Sequence, residues 1–269
     1  MTTIITIDAH LLLYIFEFID DLPKVALLKT CRQLNQFKFN IRFHKICAID
    51  KIRSLLFKES FQHIHINNKD QLGLLKEFKP VRLTFGYRFN QDLSAVDLSN
   101  VTHLTFGYYF NKELSGVDLS KVTHLTFGYY FNKELSRVDL SNVTHLTFGN
   151  CFDQDLDGVD LSKVKYLTFG YFFNQYLIGV NLSNVTHLTF GNCFDQDLDG
   201  VDLSNVTHLI FDHDFSQDLS KVNLSKITHL TLGRNFSASL DKINLSCVQY
   251  LTLKTHNKAS HSSIFTQYN

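Results

Sequence analysis

Leu83, Leu104, Leu125, Leu146, Leu167, Leu188, Leu209, Leu230 and Leu251 follow one another at intervals of 21 residues, with no insertion or deletion between them. Each is followed by Thr or Ile and then by Phe or Leu, and a second aromatic column from Phe89 to Phe236 keeps the same register. The segment 142–162 recurs without a change as 184–204. A period of this length lies in the leucine-rich-repeat range, so residues 81–253 are expected to stack as nine rungs of a β-rich, leucine-rich-repeat-like solenoid.

One full unit reads V-T-H-L-T-F-G-x-x-F-N-x-x-L-S-x-V-D-L-S-N, with apolar columns represented by Val101, Leu104, Phe106, Phe110, Leu114, Val117 and Leu119. A single unit cannot bury those side chains alone, so stability must come from stacking and from caps at both ends. Alternation at Leu104-Thr105-Phe106 predicts a short strand with Leu and Phe inward and Thr outward, and the strands of successive units should form one parallel sheet. Val117-Asp118-Leu119 alternates too, which predicts a second strand in each coil. The Asn90 to Asp195 and Asp97 to Asp202 columns are expected at corners, because Asn and Asp side chains bond nearby backbone.

The first eighty residues follow another pattern. Leu11, Leu12, Ile15, Phe18 and Ile19 have helical spacing, Asp8 fits an N-cap, Asp20 and Asp21 break the helix, and Pro23 fits the first turn of the next. A third helix is expected over 44–57, and residues 61–80, with alternating His63-Ile64-His65-Ile66, should cap the first rung. The chain therefore divides into a small all-α module at 1–45, a helical linker and cap at 46–80, the repeats at 81–253 and a tail at 254–269.

Composition excludes several function classes. Lys+Arg and Asp+Glu both number 26, so no net charge recommends nucleic acid or an anionic membrane as partner. No run approaches the ~20 apolar residues of a membrane span, and the start lacks the basic region of a signal peptide. Five cysteines without a C-x-x-C pair read as free thiols of a reducing compartment, so a cytoplasmic protein is expected. Cys151 and Cys193 occupy one column two rungs apart and read as small apolar fillers.

Candidate chemistry is repeated rather than singular. His103, His124, His145, His187, His208 and His229 recur once per unit, with Tyr166 and Tyr250 in the same column. A stacked imidazole row has the residue type for metal binding, but no Cys or carboxylate sits beside each His at chelating spacing. The Asp column lacks the Gly-rich nonapeptide of calcium-binding rolls, and Asn181, Asn223 and Asn244 replace Asp within it. A Thr ladder of the kind that binds ice is interleaved with His. G-x-S-x-G, the P-loop and any unrepeated Ser/His/Asp or Cys/His group are absent, so neither enzymatic chemistry nor a cofactor is expected. The expected role is binding another protein. The outward strand positions His103, Thr105, His124, Thr126, His145, Thr147, His187, Thr189 and His208 are the candidate target-binding set. The aromatics Tyr87, Tyr108, Tyr109, Tyr129, Tyr130, Tyr171 and Phe172 form a second set, since such side chains often anchor interfaces.

The blocks V-T-H-L-T-F-G and F-N-x-x-L resemble the FNIP repeat family, although F-N-K-E-L replaces the Phe-Asn-Ile-Pro run that names it. The resemblance implies a leucine-rich-repeat-like fold and a binding role. Upstream, L-L-L-Y-I-F-E-F-I-D-D and L-P-K-V-A-L-L-K-T-C-R-Q-L-N resemble an F-box, with Ile7-Asp8 at the usual Leu-Pro opening and no Trp in the chain to close it. F-boxes precede FNIP repeats in many family members of amoebae and their large DNA viruses, where the location would be the host cytoplasm. This second resemblance implies docking on a Skp-type adaptor of a cullin-RING (SCF-type) ubiquitin ligase through Ile7, Leu11, Ile15, Pro23, Leu27 and Leu34, with the repeats holding an unidentified target. A free-standing binding scaffold or decoy, without ligase recruitment, is the alternative.

Overall fold

A computed structural model describes residues 9–30 and 32–254. It opens with α1 (Ala9–Glu17), α2 (Asp21–Thr30) and the single turn α3 (Arg32–Asn35). Asp21 stands at the start of α2, where a carboxylate suits the positive end of the helix, and Pro23 lies in the first turn, where a missing N–H costs nothing. The expected cap Asp8 lies outside the described residues. Phe16, Leu28, Ile41 and Phe43 form a small core of their own, with Leu13, Val25 and Leu27 packed around it. Lys24 is buried beside that core, and its ammonium donates to the Arg42 carbonyl at 2.7 Å and to Asp21 Oδ1 at 3.3 Å. Its charge is thereby partnered rather than stranded.

The solenoid follows. Its strands are β1 (Cys47–Ala48), β2 (His63–Ile66), β3 (Arg82–Phe85), β4 (His103–Thr105), β5 (His124–Thr126), β6 (His145–Thr147), β7 (Tyr166–Thr168), β8 (His187–Thr189), β9 (His208–Ile210), β10 (His229–Leu232) and β11 (Tyr250–Leu253). All pair in parallel and in chain order. Register follows the repeat, with Leu104 opposite Leu125 and Leu125 opposite Leu146. The expected parallel solenoid with a 21-residue coil is what forms.

Inside, the seven apolar columns are buried: Leu104 and Leu119 are each 1% exposed and Phe110 0%. Two phenylalanine columns stack through the core, one from Phe85 to Phe211 and the other from Phe89 to Phe236. Phe106 stacks on Phe110 of its own coil at 4.1 Å between ring centroids and on Phe127 of the next at 5.5 Å. Each ring thus contacts neighbours within and between coils, which makes the core one continuous body.

Two polar columns hold the corners in different ways. Asp118 accepts the Ser120 N–H at 2.9 Å, closing a turn two residues on, and Asp97, Asp139, Asp160 and Asp202 do the same. The Asn90 column instead reaches the next coil: Asn111 Oδ1 accepts the N–H of Asn132, and Asn132 Oδ1 that of Asp153, each at 3.0 Å. One column shapes the coil, the other joins coils.

Two expectations are corrected. Val117-Asp118-Leu119 is no strand, because the Asp side chain bonds backbone two residues ahead and bends the segment there. Over 44–57 the helix is reduced to the single turn α4 (Ile49–Ile52), with β1 just before it. Ile49 and Ile52 are buried against the sheet, and the core claims the segment at that point. The cap is also more than a lid. β2 pairs with β3 in the repeat register, His63 opposite Arg82 and Ile64 opposite Leu83, so it acts as an irregular rung.

Candidate functional site

Each central strand presents a residue on either side of its buried Leu. In β4, β5, β6 and β8 these are His and Thr, all half-buried on the outer face of the sheet. The structure therefore brings His103, Thr105, His124, Thr126, His145, Thr147, His187, Thr189 and His208 into one two-column stripe. Tyr166 and Thr168 of β7 continue it. Imidazoles stack at 4.0 Å from His103 to His124 and from His124 to His145, and Tyr166 inserts between His145 and His187 at 4.3 and 4.5 Å.

The preceding Thr fixes the chemistry of this row. Thr123 Oγ1 donates its single proton to the Thr102 carbonyl at 3.1 Å, and the same oxygen lies 2.9 Å from His124 Nδ1. The ring nitrogen must then be the donor, which leaves the proton on Nδ1 and the lone pair on Nε2. Thr102, Thr144, Thr186, Thr207 and Thr228 repeat the arrangement. Adjacent rings lie within 11° of parallel, so neighbouring Nε2 lone pairs run side by side and do not converge at the ~2.1 Å that a metal ion requires. Among the described residues no group of three or more His, Cys, Asp or Glu could hold a metal ion. Burial lowers the pKa of His103, His145, His187 and His208, and for His124, burial followed by the neighbouring His103 and His145 lowers it to about 4.

A second surface lies on the turn after the strands. Tyr87, Tyr108 and Tyr129 stack at 4.7 Å per step, and Tyr109 stacks on Tyr130 at 5.2 Å in the adjacent column. Asn150 and Cys151 interrupt both columns before Tyr171 and Phe172. The Cys151 and Cys193 thiols are half-buried there, and burial raises the pKa of both.

The third surface is on the helical module. Leu11, Tyr14, Ile15 and Phe18 are 51%, 59%, 41% and 74% exposed and fall at the i, i+3, i+4, i+7 spacing of one helix face. Leu22, just beyond, is 74% exposed. The opposite face of α1 buries Phe16 in the module's core, so the helix is apolar on both sides. Of the residues expected to contact an adaptor, Leu11 and Ile15 lie on this stripe, and Pro23 is exposed on α2. Leu27 is half-buried against the helical core, Leu34 is half-buried on α3, and Ile7 lies outside the described residues. Tyr14, Phe18 and Leu22 extend the exposed face beyond the positions that the F-box resemblance implicates, and it is burial of the opposite side that sets them apart. A cleft of about 340 Å³ between α1 and residues 40–44 contains Glu17, Lys24 and His44, but the Lys24 ammonium there is already bonded to backbone and to Asp21.

A single parallel sheet with one three- or four-residue strand per coil, an in-register Leu column and a phenylalanine-filled interior defines a leucine-rich-repeat-like β-solenoid. Residues 81–175 and, in an overlapping match, 126–242 fit the family described as "Mycoplasma protein of unknown function, DUF285". Together these matches span more than half of the chain, and the chain belongs to that family. It is also similar to two proteins of Acanthamoeba polyphaga mimivirus. One is an FNIP repeat-containing protein, 26% identical over 101 residues, which make up 34% of this chain and 24% of that protein. The other is an F-box and FNIP repeat-containing protein, 25% identical over 89 residues, which make up 30% of each. Among solved structures, a circular leucine-rich-repeat protein, CroV588, superposes with a TM-score of 0.64 at 33% identity, covering 72% of this chain and 30% of that one. The chain thus spans under a third of the length of each of these relatives.

Proposed function

We propose that this chain is a protein-interaction adaptor: the repeats hold a target, and the helical module recruits a cullin-RING ubiquitin ligase through a Skp-type adaptor. The observation that carries the reading is the exposed apolar stripe Leu11, Tyr14 and Ile15, continued by Phe18 in the turn just after α1, on a helix whose other face is already buried. A helix apolar all round belongs in an interior, and a contiguous exposed stripe of this kind marks a contact surface. Leu11 and Ile15, on that stripe, are also positions that the F-box resemblance implicates. The mimiviral relative named for both F-box and FNIP repeats supports the same pairing of parts. In this reading the chain performs no chemistry, and ubiquitin transfer falls to other subunits.

The test is capture of a purified Skp-type adaptor by the full chain, compared with Leu11→Asp plus Ile15→Asp. Neither side chain contributes to the buried helical core, so the variant should keep its circular-dichroism spectrum and melting curve while losing the adaptor by at least about tenfold. Failure of the wild-type chain to retain any adaptor would remove the ligase from the proposal and leave a free-standing scaffold or decoy.

A further inference from the structure

The fifth rung, residues 163–183, breaks the repeat where its neighbours do not. The rungs on either side are the identical segments 142–162 and 184–204, and they place Asp155 and Asp157, then Asp197 and Asp199, midway round the coil. Between these pairs the fifth rung carries Tyr176 and Ile178, which are 65% and 64% exposed. Asp155 and Asp197 each accept an N–H two residues on, from Asp157 and Asp199, at 2.8 Å. Tyr176 has no carboxylate with which to make that bond, so the rung has exchanged a local turn contact for exposed apolar area.

We infer that Tyr176 and Ile178 are the anchor of a target-binding site for an extended, basic protein segment. The two exposed side chains supply a small apolar centre, and the four flanking carboxylates an acidic rim, which Lys221 approaches at Asp199. Apolar centres with polar rims are the usual anatomy of an interface. The rim fixes the chemistry of the occupant, since it favours Lys or Arg and repels nucleic acid and acidic peptides. Lys221 approaches Asp199 at 3.6 Å, but both side chains are exposed and the pair is open to exchange with an incoming cation. Spacing adds a pattern. Rungs are ~4.8 Å apart, so the two acidic pairs lie roughly 10 Å from each other across the anchor. An extended chain advances ~3.3 Å per residue, so basic residues three positions apart, with apolar residues between them, match both rims at once. The inference deepens the reading of the repeats as a target-binding surface and rests on it.

The experiment uses the full chain on an array of synthetic peptides. One set has a basic-apolar-apolar-basic centre, a second has acidic residues in the basic places, and a third has Gly in the apolar ones. Two variants accompany the wild type. Tyr176→Asp plus Ile178→Asp introduces only residues that the adjoining rungs already hold, so the coil should fold. Asp155→Asn plus Asp197→Asn removes rim charge and keeps the turn, as Asn181 does by accepting the Ser183 N–H at 3.2 Å. The first peptide set should be retained at least about tenfold better than either other set, and the preference should vanish in the anchor variant and weaken in the rim variant and in high salt. Absence of a preference, or one that survives the anchor variant, overturns the inference. So does self-association of the wild type that the anchor variant abolishes, which would make the patch a contact between copies. Adaptor capture is measured on the same preparations, so loss of the ligase reading and loss of this site are scored separately.

Discussion

At the scale of single residues, the polar columns are the parts whose geometry most constrains substitution. Asn132 Oδ1 accepts both the Asp153 N–H at 3.0 Å and the Gln154 amide at 2.9 Å. Asn132→Ala should therefore leave a half-buried backbone donor unpaired and cost about 1–3 kcal/mol in urea unfolding. Asn132→Asp keeps the acceptor, as Asp153 and Asp195 do in the same column, and should cost much less. The histidine row yields a pH dependence. A folded pKa of about 4 for His124 against an ordinary 6.5 means that the unfolded chain binds more protons between those values. Stability is complete above the upper value and declines as pH falls through the window. Urea midpoints measured at about pH 7.5 and about pH 5 should drop accordingly, and His124→Tyr, a residue that the column already accepts at 166, should flatten the drop. Long-range proton–nitrogen NMR correlations should place the neutral-state proton on Nδ1. A proton on Nε2 would contradict the Thr hydroxyl assignment.

At the scale of the element, the coil is shaped by how closely backbones approach after each strand. A Cβ placed on Gly149 would lie 1.7 Å from the Gly128 carbonyl oxygen of the preceding coil, far inside any contact that side chains tolerate. Gly149→Ala must push two coils apart at the edge of the sheet and should destabilise the protein by about 2 kcal/mol or more, visible as a lower melting temperature. Strand position and register could be read from the sequence because the Leu column and its alternating neighbours repeat at one fixed offset. Val117-Asp118-Leu119 alternates in the same manner and yet forms no strand, because the Asp side chain, whose hydrogen bonding no periodicity encodes, turns the chain instead. The joining role of the Asn90 column was hidden for a related reason. Its partner lies one coil away, and only the stacked structure brings the two together. On α1 the contact face was obscured because apolar residues occur on both sides of the helix, and sequence spacing alone does not say which side is covered.

At the scale of the molecule, the question is whether the helical module and the solenoid move as one. Phe61 packs against both hydrophobic clusters and stacks on Phe43 at 4.7 Å. Around it, Phe43 bonds to Ser60 and Gln62 in a single parallel bridge, and the Gln62 carbonyl accepts from Arg82 of the first repeat strand at 2.8 Å. A hydrogen-bonded path therefore runs from residue 43 into the sheet, with one aromatic ring seated across the junction. Such a joint fixes the angle at which an adaptor on α1 would hold a target bound to the repeats. Phe61→Ala should cost about 2 kcal/mol locally and loosen the junction, while coils far from it, which contact only their neighbours, stay folded. Limited proteolysis is the appropriate measurement: cleavage should accelerate between residues 40 and 62, with the fragment that carries the repeats persisting as a resistant core. Uniform acceleration along the whole chain would mean that the module and the solenoid unfold as one unit, and the orientation of the two surfaces would then be as rigid as the sheet itself.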